Sequence, residues 1–292
     1  MMTGEAPLNT RRSSNEAAPP GFRALAEYIT RELGIKMSDA KVPMLQSRLA
    51  RRLRALGLDS LEQYHRYLVS SEGAAERPPF FDAVTTNKTD FFREPQHFRY
   101  LVESALPSLD PGSDRFWNAQ VWSAGCSSGE EAYTIAMTLG DFGAARQRFD
   151  FSILATDISQ RVLQAGMDAI YEKPLIAPIP EELRKRYLLR SRDPADELYR
   201  IVPALRSRVR FSTLNLVGPE YRVSQSFEAI FFRNVMIYFD KPTQERVVCR
   251  LCRHLRPGGY LFIGHSESLA GLDVPVRMVA PAVYRQALTG EP

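Results

Sequence analysis

One stretch constrains the fold more than any other. Ala119–Gln120–Val121–Trp122–Ser123–Ala124 reads as an apolar strand, Gly125–Cys126–Ser127–Ser128–Gly129 as a turn, and Glu130–Glu131–Ala132–Tyr133 as the start of a helix. A strand that runs through glycines into a helix leaves bare backbone at its C-terminal end, where open α/β sheets bind small ligands. A phosphate site would call for Gly-x-Gly-x-x-Gly or a Lys-Ser/Thr pair. Neither occurs here, and two glutamates stand where a phosphate would be repelled. Carboxylates there suit a cationic ligand end, an ammonium or a sulfonium. The next strand, Phe151–Ser152–Ile153–Leu154–Ala155–Thr156, ends on Asp157, where an acid can accept hydrogen bonds from both ribose hydroxyls. A nucleoside with a cationic amino-acid tail is S-adenosylmethionine, so the residues predict a methyltransferase.

Composition bounds this reading. At 292 residues the chain accommodates a full α/β domain plus a smaller one. No apolar run approaches the ~20 residues that span a bilayer, so no membrane insertion is expected. Residues 1–20 are small and polar, and Arg11–Arg12 is followed by no hydrophobic stretch; a disordered tail is predicted there. Three cysteines fit a reducing, cytoplasmic setting better than a disulfide framework. The net charge of +4 permits an acidic protein surface or nucleic acid as partner and selects neither.

Residues 21–84 read as helices. Phe22, Leu25, Ala26, Ile29 and Leu33 keep the helical period, with Gly34 to close it. From Ser38 to Leu56, Val42, Leu45, Leu49, Leu53 and Leu56 share one face, and Lys41, Arg48, Arg51, Arg52 and Arg54 project elsewhere with no acid among them. A solvated basic face and a surface for an acidic partner weigh equally on that pattern. Asp59–Ser60–Leu61–Glu62 carries capping-box spacing for a third helix. Residues 85–94 are a connector, and Pro95 opens a helix to about Leu106. Beyond the first two strands, a helix around Ser159–Ala169 is expected, then Val209–Leu214, Glu228–Phe232, a helix Thr243–Leu255 and Tyr260–Gly264, with Met278–Val279 and Val283–Tyr284 closing the sheet as a hairpin. Such alternation means a doubly wound, mostly parallel sheet. The proline-rich stretch 171–207 interrupts it and reads as a small antiparallel β insertion with a helix at Glu181–Tyr187. No internal repeat is evident.

Several blocks together resemble a known family. Thr86–Asn87–Lys88–Thr89–Asp90–Phe91–Phe92–Arg93–Glu94, Ser123–Ala124–Gly125 through Glu130–Glu131, Phe232–Arg233–Asn234–Val235–Met236–Ile237–Tyr238–Phe239–Asp240, and Leu255–Arg256–Pro257–Gly258–Gly259 through Gly264–His265–Ser266–Glu267 are similar to the chemotaxis receptor glutamate methyltransferases, the CheR family. They stand in the family's order between about Phe22 and Tyr284. The resemblance implies a class I S-adenosylmethionine-dependent methyltransferase domain (95–292), an all-helical N-terminal receptor-recognition domain (21–84) and a linker (85–94) that contributes to the cofactor site. It implies methyl transfer to glutamates on chemoreceptor helix bundles. By the same resemblance Asn87, Thr89, Arg93, Glu131, Asp157, Asn215, Leu216, Arg233 and Asn234 contact the cofactor, with Glu130 as the alternative to Glu131. Arg93 and Tyr238 lie nearest the transferred methyl, and Arg48, Arg51, Arg52 and Arg54 face the receptor.

Chemistry agrees with so small a catalytic set, because a glutamate carboxylate with a pKa of about 4.3 is already ionised at pH 7 and needs no general base. Bland roles compete at each position. Phe91 and Phe92 read as core plugs, Arg93 and Asp157 also suit an ion pair or cap, Tyr238 suits a core tyrosine and Asn215 a turn. Cys249 and Cys252, with His254 nearby, lack the further ligands of a zinc site and read as buried thiols; no metal is expected. His265 is left without a role. A nucleic-acid methyltransferase would place an Asn/Asp-Pro-Pro-aromatic turn after the fourth strand, where Arg233–Asn234–Val235–Met236 stands instead. A cofactor sensor without transfer would have no use for Arg93 and Tyr238. Family members that bind a receptor's tether pentapeptide carry a glycine-rich turn in the insertion. Residues 189–197 have no glycine, so no tether binding is expected. A monomer is expected.

Overall fold

The computed structural model describes residues 18–112 and 115–287; most of the predicted tail, 1–17, lies outside them. The chain begins with four helices, α1 (Phe22–Leu33), α2 (Val42–Leu56), α3 (Leu61–Val69) and α4 (Arg77–Val84). The apolar positions that kept a helical period in the sequence form their shared core, where Leu25, Ile29, Leu45, Leu49, Tyr64 and Phe80 are fully buried. Burial of one such side chain is worth roughly 1.5–3 kcal/mol. Gly34 and Gly57 end α1 and α2 in the left-handed conformation, at φ 68° and 65°, which costs a glycine nothing sterically. Ser60 caps α3 by accepting the Gln63 N–H. Gln63 returns the bond to the Asp59 N–H at 2.9 Å, so Gln63, not Glu62, answers the capping serine.

After the connector, α5 (Gln96–Tyr100) runs on into a wider turn over residues 101–105. The α/β body follows: β1 (Trp117–Ala124), α6 (Glu130–Ala144), β2 (Phe149–Asp157) and α7 (Gln160–Asp168). An insertion comes next, with β3 (Ile170–Glu172), α8 (Lys173–Ile176), α9 (Glu181–Tyr187), β4 (Leu188–Arg190) and β5 (Leu198–Ile201). Its strands form a separate antiparallel sheet in the order β3-β5-β4. Then α10 (Pro203–Arg206) leads into β6 (Val209–Thr213), β7 (Phe227–Phe232), α11 (Lys241–Cys252), β8 (Leu255–Ile263), β9 (Val276–Ala280) and β10 (Val283–Gln286).

The large sheet has the order β6-β2-β1-β7-β8-β10-β9. Its first five strands are parallel, and β10 and β9 close one side antiparallel. Successive strand residues point to opposite faces: Val121 joins the core that holds Tyr133 and Phe231, and Trp122 joins the one that holds Val247 and Phe227. Strand order reverses at β1, whose neighbours β2 and β7 lead off in opposite directions. In a doubly wound sheet that switch point opens a crevice at the carboxyl ends of the strands.

Candidate active site

A cavity of about 230 Å³ occupies that crevice. Its floor is the turn after β1. The Gly125 and Cys126 N–H groups both donate to the Thr156 carbonyl, at 2.8 and 2.9 Å, which swings the chain away from the sheet. Gly125 has φ 91°, and a Cβ there would come within 2.6 Å of Val235 Cγ2, so the turn requires glycine. Asp157, ending β2, accepts the Ser127 N–H at 2.9 Å on one oxygen and the Ser159 N–H at 3.0 Å on the other. Burial is the largest influence on this carboxyl and holds its pKa above the usual range. Asp157 lines the cavity.

Glu131 lines the cavity and Glu130 does not. Glu130 folds back onto the Ser128 hydroxyl, at 2.8 and 3.0 Å. Glu131 accepts the Ser123 hydroxyl at 2.6 Å and pairs with the Arg233 guanidinium at 3.3 Å. Burial raises its pKa, opposed by Arg233. These two acids, on bare glycine backbone, suit the hydroxyls and the cationic tail of S-adenosylmethionine, so the donor set fits the group.

The connector forms another wall. Asn87, Thr89 and Arg93 line the cavity. Their segment is anchored where the Ser127 hydroxyl donates to the Asn87 carbonyl at 2.7 Å and the Phe92 N–H donates to Thr134 Oγ1 at 3.1 Å. Phe91 plugs the core against Tyr171, with ring centroids 4.9 Å apart; Phe92 is half-buried against Phe98. Arg93 forms no ion pair among the described residues, though its charge is felt at Glu131; it makes a long 3.5 Å bond to the Lys88 carbonyl. Asn234, Val235 and Tyr238, from the turn after β7, complete the lining along with Leu214, Asn215 and Leu216 after β6.

The helical unit contributes as well, through Leu33, Ile35, Met37, Lys41, Met44 and Arg48. That contribution corrects two expectations about the basic helix. Arg48 donates to the Val84 and Thr85 carbonyls at 2.7 and 3.1 Å and to the Thr86 hydroxyl at 3.0 Å. It therefore ties α2 to the connector beside the cavity instead of projecting toward a partner. Arg52 forms a bidentate pair with Glu76, which also accepts the Tyr64 hydroxyl at 2.7 Å. The missing acid of α2 arrives from the turn before α4. Arg51 and Arg54 remain exposed.

Arg233 and Asn215 line the cavity as well, each with its polar groups already engaged by the protein. The Arg233 side chain is 2% exposed and joins Glu94, at 3.1 Å, to Glu131; it also donates to the Arg93 carbonyl and lies over the Phe98 ring. Its cation is spent holding the connector and α6 together. The Asn215 amide donates to the Glu32 carbonyl at 2.7 Å and accepts the Val217 N–H at 3.0 Å, clamping the end of α1, which leaves backbone for an adenine. Cys252 is buried, and burial pushes its thiol up to about 12; Cys249 is only partly buried.

The sequence reading missed a cluster behind Arg233. Glu94, His97 and His265 bring potential ligand atoms within 4.8 Å of one another, the one such group among the described residues. Arg233 sits on the same Glu94 carboxylate and sets a cation against any dication there. His97 is 1% exposed and both its ring nitrogens lack hydrogen-bond partners. Burial first, then Arg233, lowers its pKa to about 3. The Glu94–x–x–His97 spacing was the available signal.

Comparison with known proteins accords with this geometry. Residues 20–85 match the family model described as CheR methyltransferase, all-alpha domain, and residues 87–284 match CheR methyltransferase, SAM binding domain. The chain is 41% identical over 264 residues to a chemotaxis protein methyltransferase of Salmonella typhimurium, covering 90% of this chain and 88% of that one. It is 39% identical over 268 residues to chemotaxis protein methyltransferase 2 of Pseudomonas aeruginosa, covering 91% and 92%. A chemotaxis protein methyltransferase of Borreliella burgdorferi is 35% identical over 268 residues, covering 90% and 92%. The chain belongs to the CheR family of S-adenosylmethionine-dependent methyltransferases that act in chemotaxis.

Proposed function

We propose that the protein methylates glutamate side-chain carboxylates on the cytoplasmic helix bundles of chemoreceptors, adjusting their signalling during adaptation. The observation that carries this reading is the division of charge around the cavity. Glu131 and Asp157 stand on the strand-end side, where Arg233 is already paired with Glu131, and Lys41, Arg48, Lys88 and Arg93 outnumber the single acid Asp90 on the side made by α2 and the connector. Acids suit the cationic tail and ribose of the cofactor, and cations suit an anionic acceptor. A nucleic-acid base would be a neutral acceptor and would gain little from that second wall.

Bound there, S-adenosylmethionine supplies an electrophilic methyl on a sulfonium. The acceptor glutamate is an anion at pH 7, with an unperturbed pKa of about 4.3, so no base has to remove a proton. Held by Asp157, Glu131 and the turn after β1, the cofactor would give its methyl to a carboxylate oxygen and would leave as the neutral thioether, keeping the electron pair of the broken carbon–sulfur bond on sulfur. The chain's task is in-line placement, worth on the order of 7–11 kcal/mol. Arg93, with no ion pair among the described residues, is the residue to orient the incoming carboxylate through its planar fork. Tyr238 is the group to face the sulfonium, whose charge favours an aromatic ring or phenolic oxygen. Asp157 takes the ribose and Glu131 the ammonium, with Asn87, Thr89, Leu216 and Asn234 completing the cofactor's surroundings.

Residues 21–84 act in receptor recognition, with exposed Arg51 and Arg54 as the contacts to acidic helices, and residues 95–292 act in transfer. The enzyme works as a cytoplasmic monomer; no helix among the described residues is long and apolar enough to cross a membrane. Tether docking is not expected, because the turn between β4 and β5 has no glycine to let a peptide backbone approach. Asp193 there accepts the Ala195 N–H at 2.9 Å and Ser191 donates to Asp196 at 3.0 Å.

The test is transfer of labelled methyl to a panel of purified receptor cytoplasmic fragments, read as base-labile methanol, with excess duplex DNA or RNA as competitor. Receptor labelling that polynucleotide barely inhibits at physiological salt is expected. Labelled polynucleotide with unlabelled receptor would overturn the assignment.

A further inference from the structure

The turn that carries Tyr238 does not hold its own shape. Asn234 stands at φ 58°, a left-handed conformation that asparagine adopts more readily than other residues with a side chain, though less readily than glycine. The following turn, Met236–Tyr238, is a single short 3-10 stretch, too short to be stable on its own. The carboxylate of Glu267, three residues beyond Gly264, reaches under both. One oxygen accepts the Asn234 N–H at 2.9 Å and the Gly264 N–H at 2.7 Å, and the other accepts the Ile237 N–H at 3.2 Å. Space for this approach exists because residue 264 has no side chain. A Cβ there would come within 2.3 Å of the Asn234 amide and 2.9 Å of the Glu267 carboxylate. From the opposite side, the Lys36 N–H donates to the Tyr238 carbonyl at 3.2 Å.

We propose that Glu267 is a positioning residue for methyl transfer: its carboxylate gathers three backbone N–H groups so that Asn234 and Tyr238 face the cavity in a fixed geometry. This rests on the reading of Tyr238 as the group beside the transferred methyl. Glu267 does not line the cavity, so it acts through the turn. Hydrogen bonds to a charged acceptor are stronger than neutral ones, and a glutamine in its place would offer one acceptor oxygen and an NH2 group facing an N–H. Small errors in placement are costly where the chemistry is positional.

The experiment compares wild type, Glu267→Gln, Glu267→Asp, Tyr238→Phe and the double variant Glu267→Gln/Tyr238→Phe, at a temperature where melting curves show each folded. Turnover is measured on receptor fragments at saturating S-adenosylmethionine. Glu267→Gln is expected to lower kcat about tenfold or more with the receptor KM within about threefold. Tyr238→Phe is expected to cost much less in the Glu267→Gln background than alone, since coupled residues give non-additive losses. Hydrogen exchange of the 234–238 segment is read on the same proteins and should accelerate at least tenfold in Glu267→Gln and Glu267→Asp. A role in stability alone would lower the melting temperature but leave kcat unchanged, or leave the two losses additive, and either result overturns the proposal. Wild-type protein that labels no receptor fragment would strike at the proposed function instead, and unaltered exchange at 234–238 would then still refute the clamp.

Discussion

Arg233 shows how much a residue's neighbours decide its work. By motif it is a cofactor ligand; in the fold it lines the cavity with its cation held between Glu94 and Glu131, and Arg93 and Tyr238, which line the cavity too, are the side chains proposed to meet the acceptor. Tyr238→Phe should therefore lower turnover about tenfold, or ~1.4 kcal/mol of barrier. Cofactor affinity measured by calorimetry should stay within about threefold, because an interaction made only in the transition state leaves ground-state binding alone. Equal turnover by wild type and variant would return Tyr238 to the core. His97 yields a pH prediction. Its neighbours are Glu94, with a carboxylate oxygen 3.5 Å from Nδ1, Arg233, and the His265 and Phe262 rings. The folded pKa of about 3 lies below the unfolded value of about 6.5, so the unfolded chain takes up a proton first as pH falls. The stability gained from a neutral His97 is fully present above pH ~6.5 and is lost progressively toward pH ~3. Melting temperature should thus fall less steeply between pH 7 and 5 in His97→Phe than in wild type; parallel slopes would show that His97 is protonated inside the fold.

At the scale of elements, α2 was the most ambiguous segment in sequence and the structure divides its arginines by task. Arg52→Ala would strand the Glu76 carboxylate, whose side chain is 4% exposed. The expected loss of stability is on the order of 3 kcal/mol, the low end for a broken buried pair, since the Arg52 side chain is itself 28% exposed. Arg51→Ala and Arg54→Ala should leave the melting temperature unchanged and raise the receptor KM. A receptor KM that responds to Arg52→Ala alone, in protein shown to be folded, would reverse that division. Hydrophobic periodicity was enough to find α2, because burial of Leu45 and Leu49 is written into the spacing. Its charge pattern could not reveal Arg52's partner, which lies 24 residues away, because ion pairing depends on helix packing and not on the order of residues along one helix. The insertion was legible for a similar reason only in part. Prolines and the α9 segment marked it, but three-residue strands such as β3 and β4 carry too few alternations to be read without the sheet that pairs them.

For the whole molecule, the consequence is that the helical unit roofs the cofactor site. Leu33, Ile35, Met37, Lys41 and Met44 line the same cavity as Asp157 and Glu131, and Asn215 is bonded to the end of α1 across 183 residues of sequence. S-adenosylhomocysteine at a hundredfold excess over its dissociation constant should stabilise the protein by about 2.7 kcal/mol, and should slow amide exchange between residues 33 and 48 as well as after β1 and β2. Protection confined to the α/β body would mean that the roof does not touch the ligand. The sequence alone determined the doubly wound sheet, the all-helical start and the glycine turn with its acids, since apolar period and backbone chemistry are local properties that survive translation into three dimensions. Which of two glutamates enters the cavity, which arginines are spent on internal carboxylates, and what steadies the left-handed Asn234 turn were decided by packing. Those contacts join β7 to the loop after β8, and the connector to α6, and a buried charge is satisfied by whatever partner the fold brings within about 3 Å, however far along the chain it lies.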